Sequence, residues 1–113
     1  MSRESVNAMC SALPGSENSD PWGGGHDCWK VGGKMFAVIG AMDERLSVKT
    51  DSPETAEMLI DAGVGQRARY LHKSWIAMPL DADPDELRHR ILASYRLIRD
   101  KLPKKLQAGL DPA

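Results

Sequence analysis

Residues 29–37 read Trp-Lys-Val-Gly-Gly-Lys-Met-Phe-Ala, and this stretch decides the fold. Two glycines separate two strand-like runs, and they predict a two-residue hairpin turn because glycine adopts the required positive φ angles at little cost. Before the turn, from about Asp27, the side chains of Trp29 and Val31 share one face. After it, residues 34–41 are apolar on both faces, which is typical of a central strand that is covered on both sides.

A third strand follows this hairpin. Residues 42–44, Met-Asp-Glu, predict a turn. Residues 45–50 then alternate, with Leu46 and Val48 on one face and polar or charged side chains on the other. Three strands joined by two tight turns predict an antiparallel meander.

Three helices are predicted around these strands. Ser2, Ser52 and Asp83 are their N-terminal caps, and a proline follows the cap of the second and third helices. Pro14-Gly15 ends the first helix and Gly63 the second. Apolar residues recur at helical spacing in all three: Val6, Met9, Cys10 and Leu13; Ala56, Leu59 and Ile60; Leu87, Ile91, Tyr95, Ile98 and Leu102.

The remaining segments complete the order of elements. Residues 16–25 are rich in Ser, Asn, Asp, Pro and Gly and predict a loop. Residues 67–72 and 75–78 predict two further short strands. The order α-βββ-α-ββ-α predicts an α+β fold in which helices pack on one face of an antiparallel sheet of about five strands. We expect one domain over residues 1–113, with residues 104–113 as a short turn or a loose tail.

Composition favours an ordinary globular domain. Hydrophobic residues make up 42% of the chain and charged residues 27%. No apolar run approaches the ~20 residues that a membrane helix needs, and the N-terminus lacks the layout of a signal peptide. Cys10 and Cys28 are too few and too far apart for a disulfide framework or a zinc knuckle. We therefore expect a cytoplasmic monomer with no cofactor, no bound metal and no membrane contact.

Charge is unevenly distributed along the chain. The net charge is −1, which weighs against strong, indiscriminate binding to nucleic acid. Residues 51–62 nevertheless carry four acids and no base, whereas residues 63–79 carry three Lys or Arg and no acid. This pattern is compatible with a surface on which positive and negative charges are separated.

Several of these pieces together resemble the MmcQ/YjbR family over about residues 3–102. They are Leu13-Pro14-Gly15, residues 29–37, Leu46-Ser47-Val48-Lys49, Pro53-Glu54, Tyr70 with Trp75, Ser94-Tyr95 and Leu102. The resemblance implies a fold related to the frataxin-like CyaY architecture. It also implies DNA binding, through a likeness to the "double wing" domain of the phage transcription factor MotA, in which a saddle-shaped sheet meets the duplex. Two features depart from the family: the glycine-rich stretch 22–26, and the acids Asp43 and Glu44 at a hairpin tip that could serve as a wing.

The leading hypothesis is a DNA-binding or DNA-associated regulatory domain that uses its sheet and two hairpins. Outward basic side chains could follow the phosphate backbone, and the candidates are Lys30, Lys34, Arg45, Lys49, Arg67, Arg69, His72 and Lys73. The alternative for the same residues is a solvated face that keeps strand edges from pairing with other chains. One contiguous positive face holding Lys34, Lys49, Arg69 and Lys73 would favour DNA, whereas scattered charges would favour the alternative.

The rival hypothesis is a protein- or peptide-binding adaptor that uses a sheet edge or the loop around Trp22. A third is a small enzyme or metal site in which His26 and Cys28, on the same face of a strand, share a concave pocket. The sequence contains no convincing catalytic set. The first helix carries one acid, Glu4, so the acidic ridge that holds iron in frataxin-like proteins is missing.

Overall fold

The computed structural model describes residues 1–20, 23–41, 45–69 and 71–110. Its helices are α1 (Arg3–Ser11), α2 (Pro53–Asp61), α3 (Pro84–Asp100) and α4 (Lys104–Leu110). Its strands are β1 (Ser16–Ser19), β2 (Asp27–Val31), β3 (Lys34–Ile39), β4 (Arg45–Lys49), β5 (Gln66–Arg67) and β6 (Trp75–Pro79). The longest helix, α3, has 17 residues, and no helix of the described part is long and apolar enough to cross a bilayer.

The strands form one six-stranded sheet in the order β1-β2-β3-β4-β6-β5. Every neighbouring pair is antiparallel. One core cluster joins the inward face of the sheet to Val6 of α1, Ala56 of α2 and Ile91 of α3. These three helices therefore lie on one side of the sheet, which confirms the predicted α+β class and layering.

The first strand was not predicted. Residues 16–19, Ser-Glu-Asn-Ser, pair with β2 at the edge of the sheet, although they lack any apolar alternation. Asn18 reinforces the pairing, because its Oδ1 accepts from the Cys28 N–H at 3.1 Å. The loop prediction was therefore wrong for these residues. It is right for Gly24 and Gly25, whose N–H groups donate to the Asp20 carboxylate.

The predicted strand over 67–72 is also wrong for most of its length. β5 ends at Arg67, and the chain then crosses the second face of the sheet. There Ala68 and Leu71 pack with Val38, Trp75 and their neighbours in a second, smaller apolar cluster. This loop explains how β3 is covered on both sides, as its sequence predicts.

Both strand tryptophans are buried, on opposite faces of the sheet. Trp29 belongs to the core on the helical side, and its Nε1 donates to Asn7 Oδ1 at 2.8 Å. Trp75 belongs to the smaller cluster, with Ala68 and Leu71.

A β-bulge at Phe36 links the sheet to α3. Trp29 pairs with Ala37 and Lys30 with Met35, so that Phe36 is the extra residue. The β3–β4 pairing stops at Ala37 and Val48. Ser94 of α3 bridges the gap that follows, because its hydroxyl donates to Phe36 O at 2.6 Å and accepts from the Lys49 N–H at 3.0 Å.

Tyr95 completes this link. Its ring lies edge-on to the Phe36 ring, with centroids 5.3 Å apart. Its hydroxyl donates to Pro14 O at 2.5 Å, which satisfies a polar group that is otherwise buried. Four of the stretches that carry the family resemblance are thus in direct contact: 13–15, 29–37, 46–49 and 94–95.

Residues 104–110 are helical rather than a loose tail. Leu110 packs against the core from α4, and Gly15 lies directly beneath it. At the Gly32-Gly33 turn the φ angles are 58° and 80°, as the hairpin prediction requires. A Cβ on Gly32 would lie 2.7 Å from the Leu102 methyl carbons, so the turn also needs glycine for space.

Candidate nucleic-acid interface

Strand register brings several predicted basic residues to one end of the sheet. Lys34 begins β3 and Lys49 ends the antiparallel β4. Lys49 pairs with Trp75 at the start of β6, two residues after Lys73. Lys101 directly follows α3 and lines a recess with Lys34 and Lys49. We call the end marked by Lys34, Lys49, Lys73 and Lys101 the basic end.

The Lys49 side chain is held in a defined position. Its Nζ donates to Ser74 Oγ at 3.0 Å. Ser74 is buried, and its N–H donates to His72 Nδ1 at 3.1 Å, while its Oγ lies 2.8 Å from the same nitrogen. Partial burial, and secondarily the positive charge of Lys101, lower the pKa of Lys49 below its ordinary value. The charged form of Lys49 therefore lacks electrostatic compensation.

A recess of about 280 Å³ lies between these lysines. Its lining residues are Lys34, Lys49, Ile98, Lys101 and Leu102, and we call it the lysine recess. Among the described residues no carboxylate lies within ion-pair distance of its three ammonium groups. The recess thus combines uncompensated positive charge with an aliphatic wall.

The basic side chains of the 67–73 segment differ in what they contact. Arg67 Nη1 donates to the carbonyls of Ala68, Leu71 and His72 at 2.9, 3.2 and 3.4 Å. Arg67 thus holds the loop in shape. Arg69 is exposed, as are His72 and Lys73.

Arg45 is not brought to the basic end. It begins β4 and pairs with Pro79, at the opposite end of the strand from Lys49. Its Nη1 donates to Gln66 Oε1 at 2.5 Å. Lys30 lies close to the Gly32-Gly33 turn, but its strand partner on β1 is the acid Glu17. Of the eight predicted residues, Arg45 is thus the clear outlier in position.

Sequence reasoning missed Lys101 and Ser74. Lys101 lies within the basic stretch 99–105, and this charge run was the available signal. Ser74 had none, because an isolated serine beside a strand carries no information about its partners. Two acids, Asp51 and Glu54, also follow β4 at this end, so the positive surface is bounded on the helical side.

The opposite end of the sheet is organised around Asp27. Its Oδ2 accepts from Arg3 Nε at 2.7 Å and from Asn7 Nδ2 at 3.1 Å, and its Oδ1 accepts from Asn18 Nδ2 at 2.8 Å. Burial acts to raise the pKa of Asp27, but the bonds from Asn18, Arg3 and Asn7 outweigh it and hold the pKa below its usual range. This carboxylate ties α1 and β1 to β2.

The depressed pKa of Asp27 makes part of the folding stability dependent on pH. The contribution is present above the unfolded-state value of about 3.9 and is lost as the pH falls through the lower folded-state pKa. We expect Asp27→Asn to unfold at lower urea concentration than wild type at pH 7, and the difference to shrink toward pH 3. Asp81→Asn, at an exposed position, is the control. An Asp27→Asn penalty that is constant from pH 7 to 3 would contradict this assignment.

The His26–Cys28 site does not form as a nucleophile would require. Cys28 is fully buried in the smaller apolar cluster, and burial raises the pKa of its thiol. His26 Nδ1 lies 3.5 Å from Asp20 Oδ1. In the described ranges no three His, Cys, Asp or Glu side chains are grouped to hold a metal ion. Trp22, Asp43, Glu44 and Tyr70 lie outside those ranges.

Comparison with known proteins finds a family and similar solved structures. A family model described as YjbR matches residues 11–97. The crystal structure of Deinococcus radiodurans protein DR2400, with the family-model domain DUF419, is similar at a TM-score of 0.85 and 26% identity, over 96% of this chain and 87% of that chain. A search of curated proteins found no match. The matched residues include the hairpin at 29–37 and the Ser94-Tyr95 pair.

Proposed function

The chain belongs to the YjbR family, and we propose that it binds duplex DNA through the basic end of its sheet. The observation that carries the proposal is the register Lys49–Trp75, which puts the start of β3, the end of β4 and the start of β6 side by side. The Gly32-Gly33 turn and the 72–74 turn lie at this same end, on either side of β4. That arrangement supports the paired-hairpin contact that the resemblance implies.

The proposed contact is to phosphates rather than to base edges. Lys and Arg neutralise phosphate charge and release counterions, so that affinity falls steeply as salt rises. The basic end presents strand ends and turns, and base readout in the major groove commonly uses an inserted helix or a two-stranded ribbon. The domain therefore binds DNA with little sequence preference.

The balance of charge at the basic end supports this orientation. Four lysines mark this end against two acids, Asp51 and Glu54, whereas Asp20 and Asp27 lie toward the other end of β2. Such a polarised distribution steers a polyanion toward one end even when the net charge is close to zero. The net charge of −1 therefore does not argue against local DNA binding.

The test is fluorescence anisotropy with labelled duplex and single-stranded DNA, titrated from low to physiological salt. Arg69→Ala/Lys73→Ala is expected to bind more weakly and to reduce the slope of log affinity against log salt by about 2, since about 0.9 counterion is released per phosphate contact on a duplex. Arg45→Ala/Arg88→Ala removes the same charge at the opposite end and is expected to retain the wild-type slope. Absence of wild-type binding at low salt would contradict the proposal.

The second candidate is a peptide-binding adaptor, which one observation favours. β1 lies at the edge of the sheet, and an extended peptide can add a strand to such an edge through main-chain hydrogen bonds. Binding of this kind depends weakly on salt and is unaffected by Arg69→Ala/Lys73→Ala. A peptide complex with these two properties, in a protein that fails the DNA test, would establish the adaptor function instead.

A further inference from the structure

The lysine recess holds more positive charge than is needed to neutralise one internal phosphate of a DNA backbone. Three lysines, one each from β3, β4 and the position after α3, line one recess. An internal phosphodiester carries one negative charge, whereas a phosphate monoester carries between about 1.5 and 2 at neutral pH and offers three acceptor oxygens. The charge and the number of donors therefore match a monoester better than a diester.

Position and solvation of the lysines support the same ligand. Lys49 is oriented by Ser74 and has a lowered pKa because of burial and of Lys101, so a bound dianion would stabilise its charged form. Ile98 and Leu102 form the apolar side of the recess and are nearly buried, at 8% and 5% exposure. An apolar wall reduces solvent screening beside the ammonium groups and strengthens their attraction for an anion.

We propose that the lysine recess binds a phosphate monoester, either free or as the terminal phosphate of a DNA strand. Lys34, Lys49 and Lys101 donate to the three terminal oxygens, and Ile98 and Leu102 contact the sugar or another apolar part of the ligand. In its strand-end form the inference rests on the proposed function, but in its free form it is independent of DNA binding.

Two DNA probes and one small anion separate these forms. The probes are a short duplex with 5′-phosphate termini, the same duplex with 5′-hydroxyl termini, and inorganic phosphate. The 5′-phosphate duplex is expected to bind at least about tenfold tighter than the hydroxyl duplex, the ratio that one charge-assisted hydrogen bond supplies. Lys101→Gln is expected to remove this preference, whereas Lys104→Gln, at an exposed lysine of α4, retains it.

The ionisation of the ligand gives a second readout. Inorganic phosphate acquires much of its second negative charge as the pH rises from 5.5 to 7.5, so it is expected to bind more tightly at pH 7.5 than at pH 5.5. Chemical-shift changes at Lys49 and Lys101 in a phosphate titration would locate the site. Thermal unfolding of Lys101→Gln confirms that the variant folds.

The outcomes distinguish this inference from the proposed function. Phosphate binding at Lys49 and Lys101 without binding of either duplex would overturn DNA binding and support the free-monoester form. Equal binding of both duplexes, with no phosphate-induced shifts in the recess, would overturn the inference and leave DNA binding intact. Loss of affinity for both duplexes to the same extent in Lys101→Gln would also overturn it, since an internal phosphodiester then occupies the recess.

Discussion

Simultaneous replacement of Lys34 and Lys73 by glutamate is expected to lower the affinity for duplex DNA by at least roughly 60-fold at 0.1 M salt. The estimate assumes that two phosphate contacts are lost and that each contributes about 0.9 to the slope of log affinity against log salt. It also assumes that the variant and wild type bind equally at 1 M salt. The new carboxylates add repulsion from the phosphates. Because Lys34 follows the Gly32-Gly33 turn and Lys73 lies in the 72–74 turn, the pair tests whether both turns contact the duplex.

A matched charge reversal at the far end is the control. Arg45→Glu/Arg88→Glu changes the net charge by the same amount, but Arg45 begins β4 away from Lys49 and Arg88 lies in the first half of α3. We expect a small loss of affinity from the net-charge change alone. If both double variants weaken binding equally, binding depends on overall charge, and the basic end is not the interface.

Ser94→Ala is expected to destabilise the fold by roughly 2–6 kcal/mol, because the buried Phe36 carbonyl and the part-buried Lys49 N–H would each lose a partner at about 1–3 kcal/mol. Both groups depend on one hydroxyl, with distances of 2.6 and 3.0 Å. Such a loss is a large part of the 5–15 kcal/mol typical of a domain. Urea unfolding followed by circular dichroism measures it.

Ser11→Ala gives the comparison for an exposed helix serine. The Ser11 hydroxyl donates to Ala8 O within its own helix and is solvent-exposed, so its removal is expected to change stability by less than about 0.5 kcal/mol. An equally small effect of Ser94→Ala would mean that water or backbone rearrangement satisfies Phe36 and Lys49. The Ser94 bridge would then have no role in joining α3 to the sheet.

Local rules predicted the parts of the sheet that depend on neighbouring residues. The Gly32-Gly33 turn requires positive φ, and the alternation of Leu46 and Val48 follows from the two-residue period of a strand. The first three helices were predicted equally well, since caps such as Ser52 and Asp83 act within one turn. Each of these signals lies entirely within a short stretch of sequence.

Segments whose structure depends on a distant partner were not predicted. β1 is a strand because β2 offers it a free edge and Asn18 bonds to the Cys28 N–H, and neither reason is visible in Ser-Glu-Asn-Ser. Residues 68–71 contain apolar side chains that suit a strand, but Leu71 instead covers Val38 and Trp75. The bulge at Phe36 was likewise hidden, because only Ser94 shows why it is tolerated.

The candidate site divides in the same way. The sequence by itself determined which residues carry positive charge and that they lie near strand ends and turns. Only the tertiary structure decided which of them meet. Arg45 and Lys49 are close in sequence, but a strand advances about 3.3 Å per residue and separates them to opposite ends. Lys101 is remote in sequence from Lys34 and Lys49, and the antiparallel register and the packing of α3 bring all three to one recess.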